Sequence, residues 1–218
     1  MRILLVAATE FEIAPFSAML EKFHTAAPYA LEIFTTGVGI PATILNLSRK
    51  LGVQRYDMIL NVGIAGSIAD SLRIPSLVWV MRDEFYELGA ENHDDFISVF
   101  ELGLAQKNDF PFQDGLLTAH DLPQFVHAWK IPEVHGITVM RTHGSADSID
   151  RLKRIKQEAA VETMEGAAVF YTSAAYSVPC IQLRAISNRV EPRNRSAWKI
   201  NEAIELLNNQ LIQWFIIP

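Results

Sequence analysis

The chain has 218 residues, half of them hydrophobic, and a formal net charge of −6. That length suits one large domain with a substantial core. The acidic balance excludes a general basic footprint for nucleic acid, and the neighbouring Arg193 and Arg195 are too local to supply one.

Arg2–Ala8 is a short β-type run. Apolar residues at helical spacing follow from Glu10 to Phe23, through Phe11, Ala14, Met19 and Leu20. Leu31–Thr36 reads as a second strand. It ends in Gly37-Val38-Gly39, ahead of a helix over Ile40–Leu51. Met58–Val62 is a third strand ending in Gly63-Ile64-Ala65-Gly66, and Leu77–Met81 is a fourth. These strands are apolar on both faces, as in a sheet covered by helices on both sides. Strand, glycine turn and helix alternate, which predicts an α/β fold with a largely parallel sheet. From Arg82 to Leu122 no period is visible, and a long functional loop with short helical pieces is expected there. Gly136–Arg141 resumes the strand pattern. Asp147–Gln157 reads as an amphipathic helix and Ala159–Glu162 as a short strand. Val178–Ile186 is a buried strand, and Ala197–Trp214 a closing amphipathic helix. No repeat or linker interrupts residues 1–218, so one domain is expected.

The single cysteine, Cys180, lies in an apolar run. It allows no internal disulfide and fits a reducing compartment. No secretory signal is visible, because Glu10 and Glu12 follow the first apolar run at once. No apolar run approaches the roughly 18 residues that suggest a membrane span. A cytoplasmic protein without membrane association is expected.

Polar residues collect where strands end: Glu12 after the first, the Gly37 and Gly63 turns after the second and third, and Ser187-Asn188 after the last. In open α/β sheets ligands bind outside the carboxyl ends of the strands, so these groups are expected to meet. Gly37-Val38-Gly39-Ile40-Pro41-Ala42 fits a dinucleotide fingerprint, but the acid that should end the next strand is missing: Asp57 starts it and Asn61 is neutral. The motif reads either as a tight turn or as a close backbone approach to a sugar or anion. Glu12 reads either as a solvated first-turn carboxylate or as a site acid. Glu162 and Glu165 frame Met164 at a helix start. Arg184, inside an apolar run, needs an anionic partner, protein or ligand. The six histidines form no zinc pattern, and His93-Asp94-Asp95 reads as a polar loop before a metal site. Ser187 lies in no G-x-S-x-G elbow. No metal or cofactor is expected.

Four motifs taken together resemble the purine nucleoside phosphorylase and nucleosidase superfamily along essentially the whole chain. They are Thr36–Gly39, Asn61–Gly66, Val161–Ala168 and Arg184–Asn188. Within it, Phe100–Leu104, Thr163–Gly166 and Ser187–Arg195 are most similar to the futalosine hydrolases of menaquinone biosynthesis. The resemblance implies an α/β/α sandwich around a central mixed, partly barrel-like sheet, cleavage of a purine–ribose bond, and a homodimer or larger homo-oligomer. It implies that Glu12 activates water, that Met164 and Glu165 hold the ribose, and that Ser187 and Asn188 face the base with Arg184 behind them. Gly39, Ile64, Ala65 and Gly66 complete the expected substrate wall. Phosphorylases need cations for phosphate, whereas Asn61–Ser67 has none, so a hydrolase is expected. Asn188 stands where adenine-directed nucleosidases have Asp. An amide donates to a 6-oxo group, which favours a hypoxanthine-type base but leaves the proton for the leaving purine without a source. The resemblance also implies a substrate whose extended 5′ arm ends in an aromatic carboxylate. Arg193, Arg195 or Arg82 is a candidate for it, with Phe85, Phe96 and Phe100 for its apolar part. A methylthioadenosine, S-adenosylhomocysteine or aminodeoxyfutalosine nucleosidase is the alternative.

Overall fold

The computed structural model describes residues 1–23, 29–93, 95–122, 126 and 129–216. Its strands are β1 (Arg2–Ala7), β2 (Ala30–Thr35), β3 (Met58–Ser67), β4 (Leu77–Asp83), β5 (Gly89–Asn92), β6 (Asp95–Ser98), β7 (Leu117–Thr118), β8 (Glu133–Thr138), β9 (Ala159–Thr163) and β10 (Cys180–Arg189). Its helices are α1 (Glu10–Phe23), α2 (Ile40–Val53), α3 (Ala146–Ile155), α4 (Gly166–Ala175) and α5 (Ile200–Phe215). No helix among the described residues is long and apolar enough to cross a membrane.

The strand order β10-β4-β8-β9-β3-β1-β2, with a further β10–β3 pairing, closes β3, β10, β4, β8 and β9 into a circuit. β1 and β2 extend from it as a parallel flap. The sheet is mixed and partly barrel-like: β3–β10 and β4–β8 are parallel, while β4–β10 and β3–β9 are antiparallel. The largely parallel sheet read from strand–helix alternation holds, since β1–β2, β1–β3, β3–β10, β4–β8 and β8–β9 are all parallel, and the antiparallel β4–β10 and β3–β9 pairings make it mixed.

Two expectations are corrected. β3 does not stop at Val62 but runs through Gly63–Gly66 to Ser67. The glycines are there for close approach: a Cβ on Gly63 would come within 2.6 Å of both Arg184 Nη1 and Glu12 Oε1. The irregular stretch after β4 carries the β5–β6 hairpin and turns, with no α-helix among its described residues.

The core lies on both sides of the sheet. β1, β3 and β10 bury Ile3, Leu5, Leu60 and Leu183 against α1 and α5, which contribute Phe16, Leu207, Leu211 and Phe215. Their alternate residues Leu4, Val6 and Ile59 face Leu47 of α2 and Phe170 of α4. The period-two alternation of strand side chains therefore explains why these strands are apolar throughout.

Candidate active site

Glu12 sits in the first turn of α1 and is 9% exposed. Thr9 donates to its Oε2 from both the backbone N–H and the side-chain hydroxyl, each at 3.1 Å, half of a capping box. The Ile64 N–H on β3 donates to its Oε1 at 3.0 Å. These donors aim the carboxylate across the sheet edge instead of out into solvent. A residue from the far end of the chain supports this geometry. Asn208 of α5 is buried. It accepts from Phe16 N–H at 2.9 Å and donates to Glu12 O at 2.9 Å, bridging the two groups that an ordinary helical bond would join. Pro15, inside α1, lies beside this bridge.

Glu165 is the N-cap of α4. Its Oε1 accepts from Gly39 N–H at 2.7 Å. Gly39 has φ +87° and caps α2, a conformation that favours glycine. The Gly37–Gly39 segment is thus a tight strand-to-helix turn, and its close backbone approach is to a carboxylate of the protein itself. Burial pushes the Glu165 carboxyl above its ordinary range; the Gly39 bond and Arg184 oppose this, and Glu12 adds to it.

Arg184 is 3% exposed on β10. Burial lowers its pKa, while Glu165, Glu12 and Asp83 hold it up. Its Nη2 donates to Gln182 Oε1 at 3.2 Å, and its Nε is buried with no hydrogen-bond partner among the described residues. No carboxylate makes a direct ion pair with it there, so the guanidinium acts as a central charge among three acids.

The far end of β10 carries the amide expected at the base. The β3–β10 register slips between Ile186 and Asn188, a bulge of the kind that re-aims side chains. Ser187 Oγ donates to Asn188 Oδ1 at 2.8 Å, and Asn188 Nδ2 donates to Arg189 O at 2.7 Å. One N–H of the amide and one lone pair of its oxygen remain for a ligand.

Glu12, Ile64, Ala65, Gly66, Met164, Glu165, Ser187 and Asn188 line one cavity of about 290 Å³. Gly39 and Arg184 lie outside its lining, Gly39 bonded to Glu165. Arg193 lines a second cavity of about 610 Å³, which shares Thr142 and His143 with the first. Arg195, in a surface 3-10 turn, and Arg82, on β4, line neither. Phe96 lines the second cavity and stacks on Tyr86, whereas Phe85 packs on Tyr171 and Phe100 on Phe112.

Trp198 and Arg151 carried no signal in the sequence, whereas Glu162 stands out there beside Met164. Trp198 lines the first cavity, with the Arg193 guanidinium 5.2 Å from its ring centre. Arg141 and Arg151 join Arg193 in the second cavity. Glu162, 5% exposed, accepts from His143 N–H at 3.0 Å and from His143 Nδ1 through a short hydrogen bond. Among the described residues no three His, Cys, Asp or Glu side chains converge as a metal site. Asp94 of the His93-Asp94-Asp95 loop lies outside the described residues.

A family described as the phosphorylase superfamily matches residues 2–212. Futalosine hydrolase of Streptomyces coelicolor is 34% identical over 154 residues, which cover 71% of this chain and 63% of that protein, less than two thirds of its length. Futalosine hydrolase of Acidothermus cellulolyticus is 30% identical over 190 residues, covering 85% of this chain and 74% of that protein. Among solved structures, a Helicobacter pylori nucleosidase mutant with 5′-methylthioadenosine in its active site superposes with a TM-score of 0.75. It is 16% identical and covers 97% of this chain and 96% of that one. At that identity the likeness speaks for the fold alone.

Proposed function

The chain belongs to the phosphorylase superfamily, and we propose that within it the protein is an N-ribosyl hydrolase that releases hypoxanthine from futalosine in menaquinone biosynthesis. The observation that carries the hydrolytic part is the charge of the first cavity. Its described lining holds Glu12, Glu162 and Glu165 and no Arg or Lys. Such a wall repels phosphate and suits water. Departure of the purine builds oxocarbenium character on the ribose, which nearby carboxylates stabilise while one of them directs the water. In this reading Glu12 takes the proton of the attacking water. Glu165, fixed by Gly39, grips the ribose hydroxyls above Met164, and the free N–H of Asn188 donates to the 6-oxo group of the base.

The substrate follows from two supports. The relatives at 34% and 30% identity are futalosine hydrolases. The second cavity adds room beside the first, with Arg141, Arg151 and Arg193 on its wall for a carboxylate-tipped arm. The test is a competition in one tube between futalosine, aminodeoxyfutalosine and methylthioadenosine, with released bases separated by chromatography. Hypoxanthine from futalosine is expected to dominate. Dominant adenine release would keep the nucleosidase chemistry and overturn the 6-oxo reading of Asn188. In that case Asn188→Asp should raise 6-amino turnover further.

A further inference from the structure

A departing purine needs a proton, because without one the base leaves as an anion. Asn188 is an amide and has no acidic proton to give. The groups lining the first cavity that can carry a transferable proton are Glu12, Glu165, Glu162 and His143. Glu12 receives three donors and, in the hydrolase reading above, takes the proton of the water. Glu165 is turned to Gly39. The other two are already coupled to each other: Glu162 accepts from both the backbone N–H and Nδ1 of His143. Nδ1 is thereby committed as the donor to the carboxylate, and Nε2 makes no hydrogen bond among the described residues. Tyr86 braces the ring edge-on, with centroids 5.1 Å apart. His143 also lines the second cavity, whose exposed Glu87 and Arg141 mark it as reached by solvent.

Resting on the hydrolase reading above, we propose that His143 is the general acid that protonates the departing purine, and that Glu162 is its positioning residue. The C1′–N9 bond breaks and its electron pair passes into the purine. The proton on His143 Nε2 moves to a ring nitrogen of that base. The water oxygen bonds to C1′ and its proton passes to Glu12. The imidazole is recharged from solvent through the second cavity, and Glu12 returns its proton to solvent. A carboxylate behind the imidazole fixes its tautomer and the orientation of its ring, as in other carboxylate-backed histidines.

The test uses a base that needs no proton. N7-methylated futalosine carries its positive charge already, so its base departs neutral. His143→Asn keeps an N–H near the Nδ1 position and deletes Nε2. It should slow futalosine turnover by about 10²-fold or more while leaving the N7-methylated substrate within about threefold of wild type. Glu162→Gln should show the same bias more weakly. An equal fall on both substrates, or no fall on either, overturns the assignment. Should the wild type refuse the methylated base, His143→Gly with added imidazole decides: restored futalosine turnover supports the acid role and no restoration overturns it. A wild type that cleaves neither substrate fails the hydrolase reading itself, a result distinct from both.

Discussion

The first cavity is walled by strand ends, the first turn of α1 and the N-cap of α4, whereas its larger neighbour is walled by the β5–β6 hairpin, the segment after β8 and α3. Polar groups in the first are tied down: Glu12 by Thr9 and Ile64, Glu165 by Gly39, Asn188 by Ser187 and Arg189. In the second, Arg141 and Arg193 are exposed, and Arg151 reaches Glu91 only at 3.8 Å. Chemistry that must be preorganised belongs on the rigid wall, and binding that tolerates variation belongs on the adaptable one. Substitutions in the first cavity should therefore strike kcat, and those in the second KM.

The largest effect is expected at Glu12. Glu12→Gln should keep the fold by circular dichroism and lower kcat by about 10²-fold or more; a near wild-type rate would remove Glu12 from the chemistry. Next comes Asp83, which lies fully buried beneath the site. Burial pushes its carboxyl up to about 7 from an ordinary 3.8, against the hydrogen bonds of Gln182 and Thr138 and the charge of Arg184. Its folded pKa lies above its unfolded one, so the stability linked to it is complete below about pH 4 and lost as pH rises through about 7. Thermal melts should show this decline, of the order of 4 kcal/mol. Asp83→Asn should flatten it, and an unchanged slope in the variant would assign the decline elsewhere.

Asn208→Ala is expected to cost about 1–3 kcal/mol in urea unfolding, because Glu12 O and Phe16 N–H lose their buried bridge. It should also lower kcat, since α1 would no longer present Glu12 at the same angle. Lost stability with full kcat would show that the bridge serves folding alone. The smallest effect is expected in the second cavity. Neutralising Arg141, Arg151 and Arg193 together should raise KM for futalosine about tenfold with little change in kcat. A fall in kcat instead would erase the division of labour between the two cavities.

What the sequence made legible follows the same division. The starts of α1 and α2 and the extents of β1 and β2 agree with the sequence pattern to within a residue or so, because local periodicity and glycine turns encode them. The convergence of Glu12, Glu165 and Asn188 on one cavity was legible from strand ends and topology. The hairpin at Gly89–Ser98 was not, since its strands are only four residues long, β5 is exposed, and neither carries an apolar alternation. Nor was the passage of β3 through its glycines, where the close approach of Arg184 and Glu12 outweighs the usual reading of glycine as a strand end. Asn208 and the His143–Glu162 pair are tertiary facts: 196 residues separate Asn208 from Glu12, and no local pattern announces such a contact.

The most direct measurement of the central claim is product analysis of futalosine turnover in phosphate-free buffer and again with phosphate added. The account predicts hypoxanthine and the free sugar product at the same rate in both. Turnover that requires phosphate and yields a sugar 1-phosphate would contradict it.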